Sequence, residues 1–381
     1  MKTNFLLGAG FSYNAGLPLV KDISDRFLRE PLYEQIIDLG SGEWKWADLA
    51  TEIDKANDSG SHDSIKIAMF LQTIIHEFFT IDNKNILNYE EFYNYLWGML
   101  NNRKEEFDQN RSKIDELFLA KFDVEDTFPF SMVPSKEIFS CFYHLVEDLL
   151  WLRKDREKIY SLYKPYVDFF SATECRVDIF TLNHDLLLET IFEHFGLAFK
   201  DGFTNEESPL TNENGVDLPV FSNNFGSGIN LIKLHGSIDT YKYQYFLQHE
   251  QRKDFEYFKT LDYWEKQMAV YRDSQGAILQ NVTPDVTPQF ITGQNKLMTI
   301  TSDKMYRSLY SRFENSMKST ERLIIVGYSF CDEHINSVIK ESLGTLIEVI
   351  NINPSDFVPF ELPNYKLINP LVDAVDFEYQ N

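Results

Sequence analysis

Five short runs along the chain are apolar through most of their length: Thr3–Leu7, Arg176–Thr181, Asn230–Leu234, Arg322–Val326 and Leu346–Ile352. Strands with one face in water alternate apolar and polar residues, whereas strands covered on both faces do not. The runs therefore predict buried parallel strands. Most end at a small or polar motif, which is the pattern of an open α/β sheet whose ligand crevice lies at the carboxyl ends of its strands.

Between the first and second runs the period changes. Ile67/Ala68, Leu71, Ile74/Ile75 and Phe78/Phe79 recur at helical spacing, as do Phe92, Leu96 and Met99/Leu100, and then Ile138/Phe139, Phe142, Leu145/Val146 and Leu149/Leu150. Apolar residues three and four apart form one helical face. Ser135, after Pro134, is placed to cap the third of these helices. The expected organisation is a Rossmann-like α/β core of residues 1–40 and 171–381, with a helical insertion at 41–170. The insertion would serve oligomerisation, gating or partner docking, or simply pack as a core. Residues 201–229 read as a long polar loop, either a cover or a mobile segment. A helix is expected near Phe255–Tyr271, broken by Thr283-Pro284 and Thr287-Pro288.

The chemistry gathers where the strands stop. The first strand runs into Gly8-Ala9-Gly10-Phe11-Ser12 and then Ala15-Gly16-Leu17-Pro18. Glycines between a strand and a helix let the backbone approach an anion, so this turn reads as a phosphate cradle using backbone N–H groups and the Ser12 hydroxyl. Asn183 both donates and accepts, and suits a ribose hydroxyl or an attacking water; equally, it could cap a helix at Leu186–Phe195, with Asp185 as a first-turn acid. Histidine ordinarily titrates near neutrality, so His235 suits a proton acceptor, or else a structural role. Ser329 suits phosphate or ribose, or a strand-to-helix turn.

Taken in order, these motifs resemble the sirtuin family. Gly8-Ala9-Gly10-Phe11-Ser12 with Gly16-Leu17-Pro18 resembles the opening of sirtuin NAD-binding domains. Thr181-Leu182-Asn183-His184-Asp185 is similar to the family's Thr-Gln-Asn-Ile-Asp, Leu234-His235-Gly236 to its Leu-His-Gly, and Gly327-Tyr328-Ser329 to its Gly-Thr-Ser. Asn353 stands where the family has an adenosine-ribose Asn, with Asn351 as the alternative. The resemblance implies NAD as substrate, Asn183, Asp185 and His235 as catalytic residues, and Gly8, Ala9, Gly10, Phe11, Ser12, Gly327, Ser329 and Asn353 as NAD-binding residues. His184, in the family's Ile position, ranks below His235 as the active imidazole.

Two departures matter. The Asp-Phe-Arg of the deacylases is replaced by Leu19-Val20-Lys21, and residues 237–300 hold no cysteine where the deacylases carry a four-cysteine zinc module. The chain thus looks most like the sirtuin-like NAD hydrolases of bacterial antiviral defence, in particular the subunit paired with a HerA-type ATPase. That resemblance implies an NAD glycohydrolase needing no metal, held by a gate, working as a homo-oligomer or with a HerA-type ATPase partner, and a role in abortive infection. The rivals are a non-catalytic NAD or ADP-ribose sensor and, further off, a protein deacylase.

Composition narrows the partners. The 381 residues are 43% hydrophobic and 25% charged, with a net charge of -23. That sign disfavours direct binding to nucleic acid, whose affinity comes from cations on phosphates. No uninterrupted apolar stretch approaches the roughly 18 residues of a membrane span. Cys141, Cys175 and Cys331 lie far apart, and the eight histidines show no metal-ligand spacing, so neither a disulfide framework nor a metal site is expected. A strand that starts at Thr3 leaves no room ahead of it for a signal peptide, so a cytoplasmic location is expected.

Overall fold

All five apolar runs are neighbours in one seven-stranded sheet. The computed structural model describes residues 1–40, 43–82, 88–124, 128–172, 176–206, 208–246, 255–260, 268–284 and 296–369. Its main strands are β1 (Thr3–Leu7), β2 (Val177–Thr181), β3 (Phe199–Lys200), β4 (Ile229–Lys233), β5 (Arg322–Val326), β6 (Glu348–Ile352) and β7 (Tyr365–Ile368). They lie in the order β7-β6-β5-β1-β2-β4-β3, and every pair is parallel. Leu7 stands in register with Thr181 on one side and Val326 on the other.

The absence of alternation has its expected cause, since both sheet faces are covered. Phe5, Leu7, Ile179, Leu231, Ile324 and Ile350 pack on one face with residues of the helices Arg156–Ala172 and Leu187–His194. Leu6, Phe180, Ile232, Leu323, Ile325 and Val349 pack on the other with the helices Lys304–Met317 and Glu333–Glu341. The fold is thus a Rossmann-like α/β core carrying a large helical insertion.

The insertion has its own core, built by α1 (His62–Asp82), α2 (Tyr89–Asn102), α3 (Lys104–Phe122) and α4 (Ser135–Leu149). By length and composition α1 could cross a membrane. Its apolar residues Ile67, Phe70, Leu71, Ile74 and Phe78 instead fill the helical core. Ile23, Phe27, Leu32 and Ile36 join the helical core, while Ile159, Tyr163, Val167 and Phe170 join the sheet. Ser135 is the first helical residue rather than the cap, a position taken by Pro134.

The expected polar loop carries three short strands, and the expected helix near Phe255–Tyr271 is strand over Glu256–Lys259 and from Ala269 onward. Gly202–Thr204, Val220–Asn224, Thr240–Tyr243 and Glu256–Lys259 form a four-stranded antiparallel sheet. Leu210–Thr211, Ala269–Arg272 and Ile278–Val282 form a three-stranded one. Strand pairing won because Tyr241, Tyr243 and Phe258 bury their rings against Leu210 and Val282 across the two sheets. The middle of the expected helix, residues 261–267, lies outside the described residues, as do Cys175 and the Thr287-Pro288 break.

At the amino end of the sheet Asp178 is fully buried. It accepts from Arg176 Nε and Nη2 at 2.9 and 2.6 Å, from Ser316 Oγ at 2.6 Å and from Asn230 Nδ2 at 2.9 Å. Burial pushes this carboxyl up, but these bonds with the charges of Arg176 and Arg312 outweigh it and hold it below its ordinary value of 3.8. A depressed carboxyl contributes stability above its unfolded pKa and loses it as pH falls through the folded value. Asp178→Asn should therefore cost about 1–3 kcal/mol at pH 7, because it removes the buried charge that accepts from Arg176, Arg312 and Ser316. The penalty should shrink as the pH drops below about 4, which urea midpoints measured from pH 3 to pH 7 will show.

Candidate active site

The chain runs from β1 to β2 and β4 on one side, then returns to place β5 and β6 on the other. The order therefore reverses between β1 and β5, and in open α/β sheets ligands bind in the crevice at such a reversal. The carboxyl ends of β1, β5 and β6 are stitched there by backbone. Gly8 N–H donates to Val326 O at 2.9 Å, Gly10 N–H to Gly327 O at 3.0 Å, and Gly327 N–H to Ile352 O at 2.9 Å. A Cβ on Gly8 would lie 2.5 Å from Gly327 O, and one on Gly10 2.7 Å from Gly327 Cα. Glycine is needed here because two main chains touch. The amides of Gly8 and Gly10, assigned from sequence to a phosphate, are occupied by these carbonyls.

Ser12, Asn183 and Asp185 come together beneath the turn, all buried. Asn183 Nδ2 donates to Gly8 O at 3.0 Å and to Ser12 Oγ at 2.9 Å, and Asn183 N–H donates to Thr181 Oγ1 at 3.1 Å. Asn183 does not cap the following helix; Leu186 holds that position. Asp185 does act at the helix start, accepting from Leu187 N–H at 3.0 Å, and Ser12 is hydrogen-bonded to its carboxyl. Burial raises Asp185 above the usual carboxylate range, although Lys233 and these bonds pull it back. A cavity of about 10 Å³, near the lower limit for one water, lies among Ser12, Thr181, Asn183, Asp185, Glu189 and Lys233.

Lys233 was not singled out in the sequence. Its Nζ donates to Asp185 O, to Glu189 Oε1 at 2.9 Å and to Ser237 Oγ at 2.9 Å. The one signal available was a lysine closing an otherwise apolar strand. Farther out, Lys259 pairs with Asp239 at 3.0 Å and Asp201 at 2.7 Å.

The turn after β4 carries His235, with Gly236 at φ +92. His235 is 3% exposed, and its ring centroid lies 6.4 Å from that of His184 and 5.7 Å from that of His334. His184 faces the insertion, with Nε2 4.0 Å from Glu90 Oε1. His235 faces the β5 loop, where Asp332 and His334 stand. One donor atom from each of His235, Asp332 and His334 lies within 4.8 Å of the others. The sequence hid this cluster because almost a hundred residues separate its members.

The other expected ligands divide. Ala9 and Ser329 are exposed. The Phe11 ring turns inward against Tyr163 and Tyr166, with centroids 5.0 and 5.3 Å away. Asn353 Nδ2 donates to Tyr328 O at 2.7 Å and so braces the turn that holds Gly327. Asn351 Nδ2 donates to Tyr365 Oη at 2.9 Å.

A parallel sheet with a glycine turn and a polar cluster at its reversal defines a Rossmann-like α/β fold with a candidate ligand crevice. More narrowly, residues 177–346 match the model of the SIR2-like domain. The match spans Asn183, Asp185, His235, Gly327 and Ser329. Solved structures similar to the chain include Sir2Tm bound to a propionylated peptide (12% identity, 96% of this chain and 86% of that one, TM-score 0.33). Others are a Sir2–p53 peptide–NAD+ complex (13%, 96% and 87%, 0.33) and a Sir2 homolog–NAD complex (12%, 96% and 83%, 0.32). No curated protein matches the chain.

Proposed function

We propose that the chain is an NAD glycohydrolase whose site is the crevice between β1 and β5. The observation that carries the reading is the Ser12–Asn183–Asp185 cluster, joined to the glycine turn and lying with His235 on the carboxyl side of the sheet. In the reaction the bond from ribose C1′ to the nicotinamide nitrogen breaks, and the electron pair leaves with nicotinamide. Water adds to C1′ and gives up a proton, yielding ADP-ribose. His235 takes that proton at a ring nitrogen. Asp185 supports the ribose, and its charge favours the cationic sugar over the neutral product. Asn183 holds the turn against which the dinucleotide lies. Nicotinamide is already a cationic leaving group, so the chemistry requires no metal.

An unrestrained NAD hydrolase would drain its host, and the insertion is placed to restrain it. Leu186, next to Asp185, and Ile238, three residues after His235, both belong to the helical core. Glu147 of α4 accepts from Tyr241 Oη at 3.2 Å, and Glu90 of α2 stands by His184. Movement of these helices would reach both catalytic segments. We assign the gate to this contact, with oligomerisation or a HerA-type ATPase as its trigger in an anti-phage response in the cytoplasm.

One observation favours the sensor instead: the Asn183 amide and the Gly8 and Gly10 N–H groups already serve structural bonds. Nicotinamide and ADP-ribose release from NAD, with and without lysate of phage-infected cells, separates the two. Asn183→Ala should lower turnover about 100-fold by displacing the turn and lower stability by about 1–3 kcal/mol. NAD that is bound but intact under every condition would make the chain a sensor.

A further inference from the structure

We propose that His235, Asp332 and His334 form a binding site for a divalent transition-metal ion of the zinc class, and that its occupancy switches the site off by taking His235. The switching half of this inference rests on the hydrolase reading; the binding half does not.

The donors come from two segments that the fold brings to one end of the sheet. His235 ends the turn after β4, and Asp332 and His334 open the helix Glu333–Glu341. Their donor atoms are within 4.8 Å of one another. Tetrahedral zinc, with bonds of about 2.0–2.1 Å, needs donors roughly 3.3 Å apart. Closing that difference takes side-chain movements of about 1 Å, within reach of the two half-buried donors.

The loop is braced in a way that suits ligation. Tyr328 Oη donates to Asp332 O at 3.1 Å and receives Asp332 N–H at 3.3 Å. Asn336 Nδ2 donates to Phe330 O at 2.8 Å, and Phe330 turns the chain at φ +59. His334 Nε2 lies 2.7 Å from Tyr310 Oη. A ligating histidine commonly engages its second nitrogen in such a bond, which fixes the tautomer and the ring.

Charge and donor type select the ion. The cluster itself includes the Asp332 carboxylate beside two imidazoles, and that negative group favours a cation. Two imidazoles and one carboxylate suit zinc and its neighbours, whereas magnesium and calcium prefer all-oxygen shells. Three protein ligands leave one position open to water. His235 cannot hold an ion and accept a proton at the same nitrogen.

The test is a cobalt(II) titration of the whole chain after dialysis against chelator, followed by visible absorption, with zinc competition and NAD turnover measured in parallel. The expected result is one cobalt ion per chain with tetrahedral bands, displaced by zinc. His334→Ala and Asp332→Asn should each weaken it roughly 10–100-fold, with far-UV circular dichroism and Tm confirming that both variants fold. Zinc should suppress wild-type turnover in proportion to occupancy. Absent bands, or bands unchanged in both variants, would overturn the site. Occupancy that leaves turnover untouched would overturn the switch. If metal-free protein turns over no NAD at all while the bands appear and depend on His334, the site stands and the hydrolase reading falls.

Discussion

His235→Ala is expected to lower nicotinamide release by about 10²–10⁴-fold, the usual range for loss of a positioned general base. The residue is buried, lies one turn beyond the Lys233 network, and follows a strand whose end is fixed in register with Thr181. Removing the imidazole takes away the proton acceptor while the backbone turn at Gly236 keeps its shape. His184→Ala is the matched comparison. That ring is equally buried but faces Glu90 of the insertion, so its loss should disturb the gate and leave most of the turnover of an ungated preparation. Turnover at saturating NAD, with Tm for each variant, decides between the two imidazoles. A larger loss in His184→Ala would exchange their roles.

Gly327→Ala is expected to be the most damaging single methyl group in the core. Its Cβ would lie 2.3 Å from Phe11 N and 2.4 Å from Gly10 C, all of it backbone, at a residue with φ +61. Strain at such a conformation costs about 1–3 kcal/mol, and overpacking a similar amount. Because the obstacle is main chain, no side chain can swing aside. The β1 turn must lift from β5, carrying Ser12 and the Asn183 clamp with it. NAD binding should fall with stability, as read from the urea midpoint and a binding titration. Gly98→Ala is the control. Nothing lies within 4 Å of a Cβ there, so this helical position should gain about 0.5–1 kcal/mol.

Much of this architecture was legible because parallel strands buried on both faces leave an unmistakable apolar run. Thr3–Leu7 and Arg322–Val326 match their strands residue for residue. The motif positions followed, since each run ends where its loop begins. What escaped were features fixed by partners far along the chain. The Gly202–Arg272 region pairs as strands of two to five residues, too short to show a period, and several of them keep polar side chains outward. Asn183 sits where a helix cap would, and only the fold shows that its amide reaches Gly8. Lys233 and the His235–Asp332–His334 cluster likewise depend on which strand ends become neighbours.

The central place of β1 has a consequence for biogenesis. β1 leaves the ribosome well ahead of its partners at residues 178–181 and 322–326, and the glycine turn is completed by Ile352. At about 5–20 residues per second the wait is tens of seconds. Until β5 emerges at least one edge of the segment must stay unpaired, while the helical insertion emerges and can fold on its own local contacts. On the hydrolase reading, the order of synthesis is itself a safeguard. A nascent chain, or a fragment broken off before the fifth strand, displays Asn183 and His235 without the Gly8–Gly327 contact. It therefore has no crevice in which to destroy the cofactor of the cell that is making it.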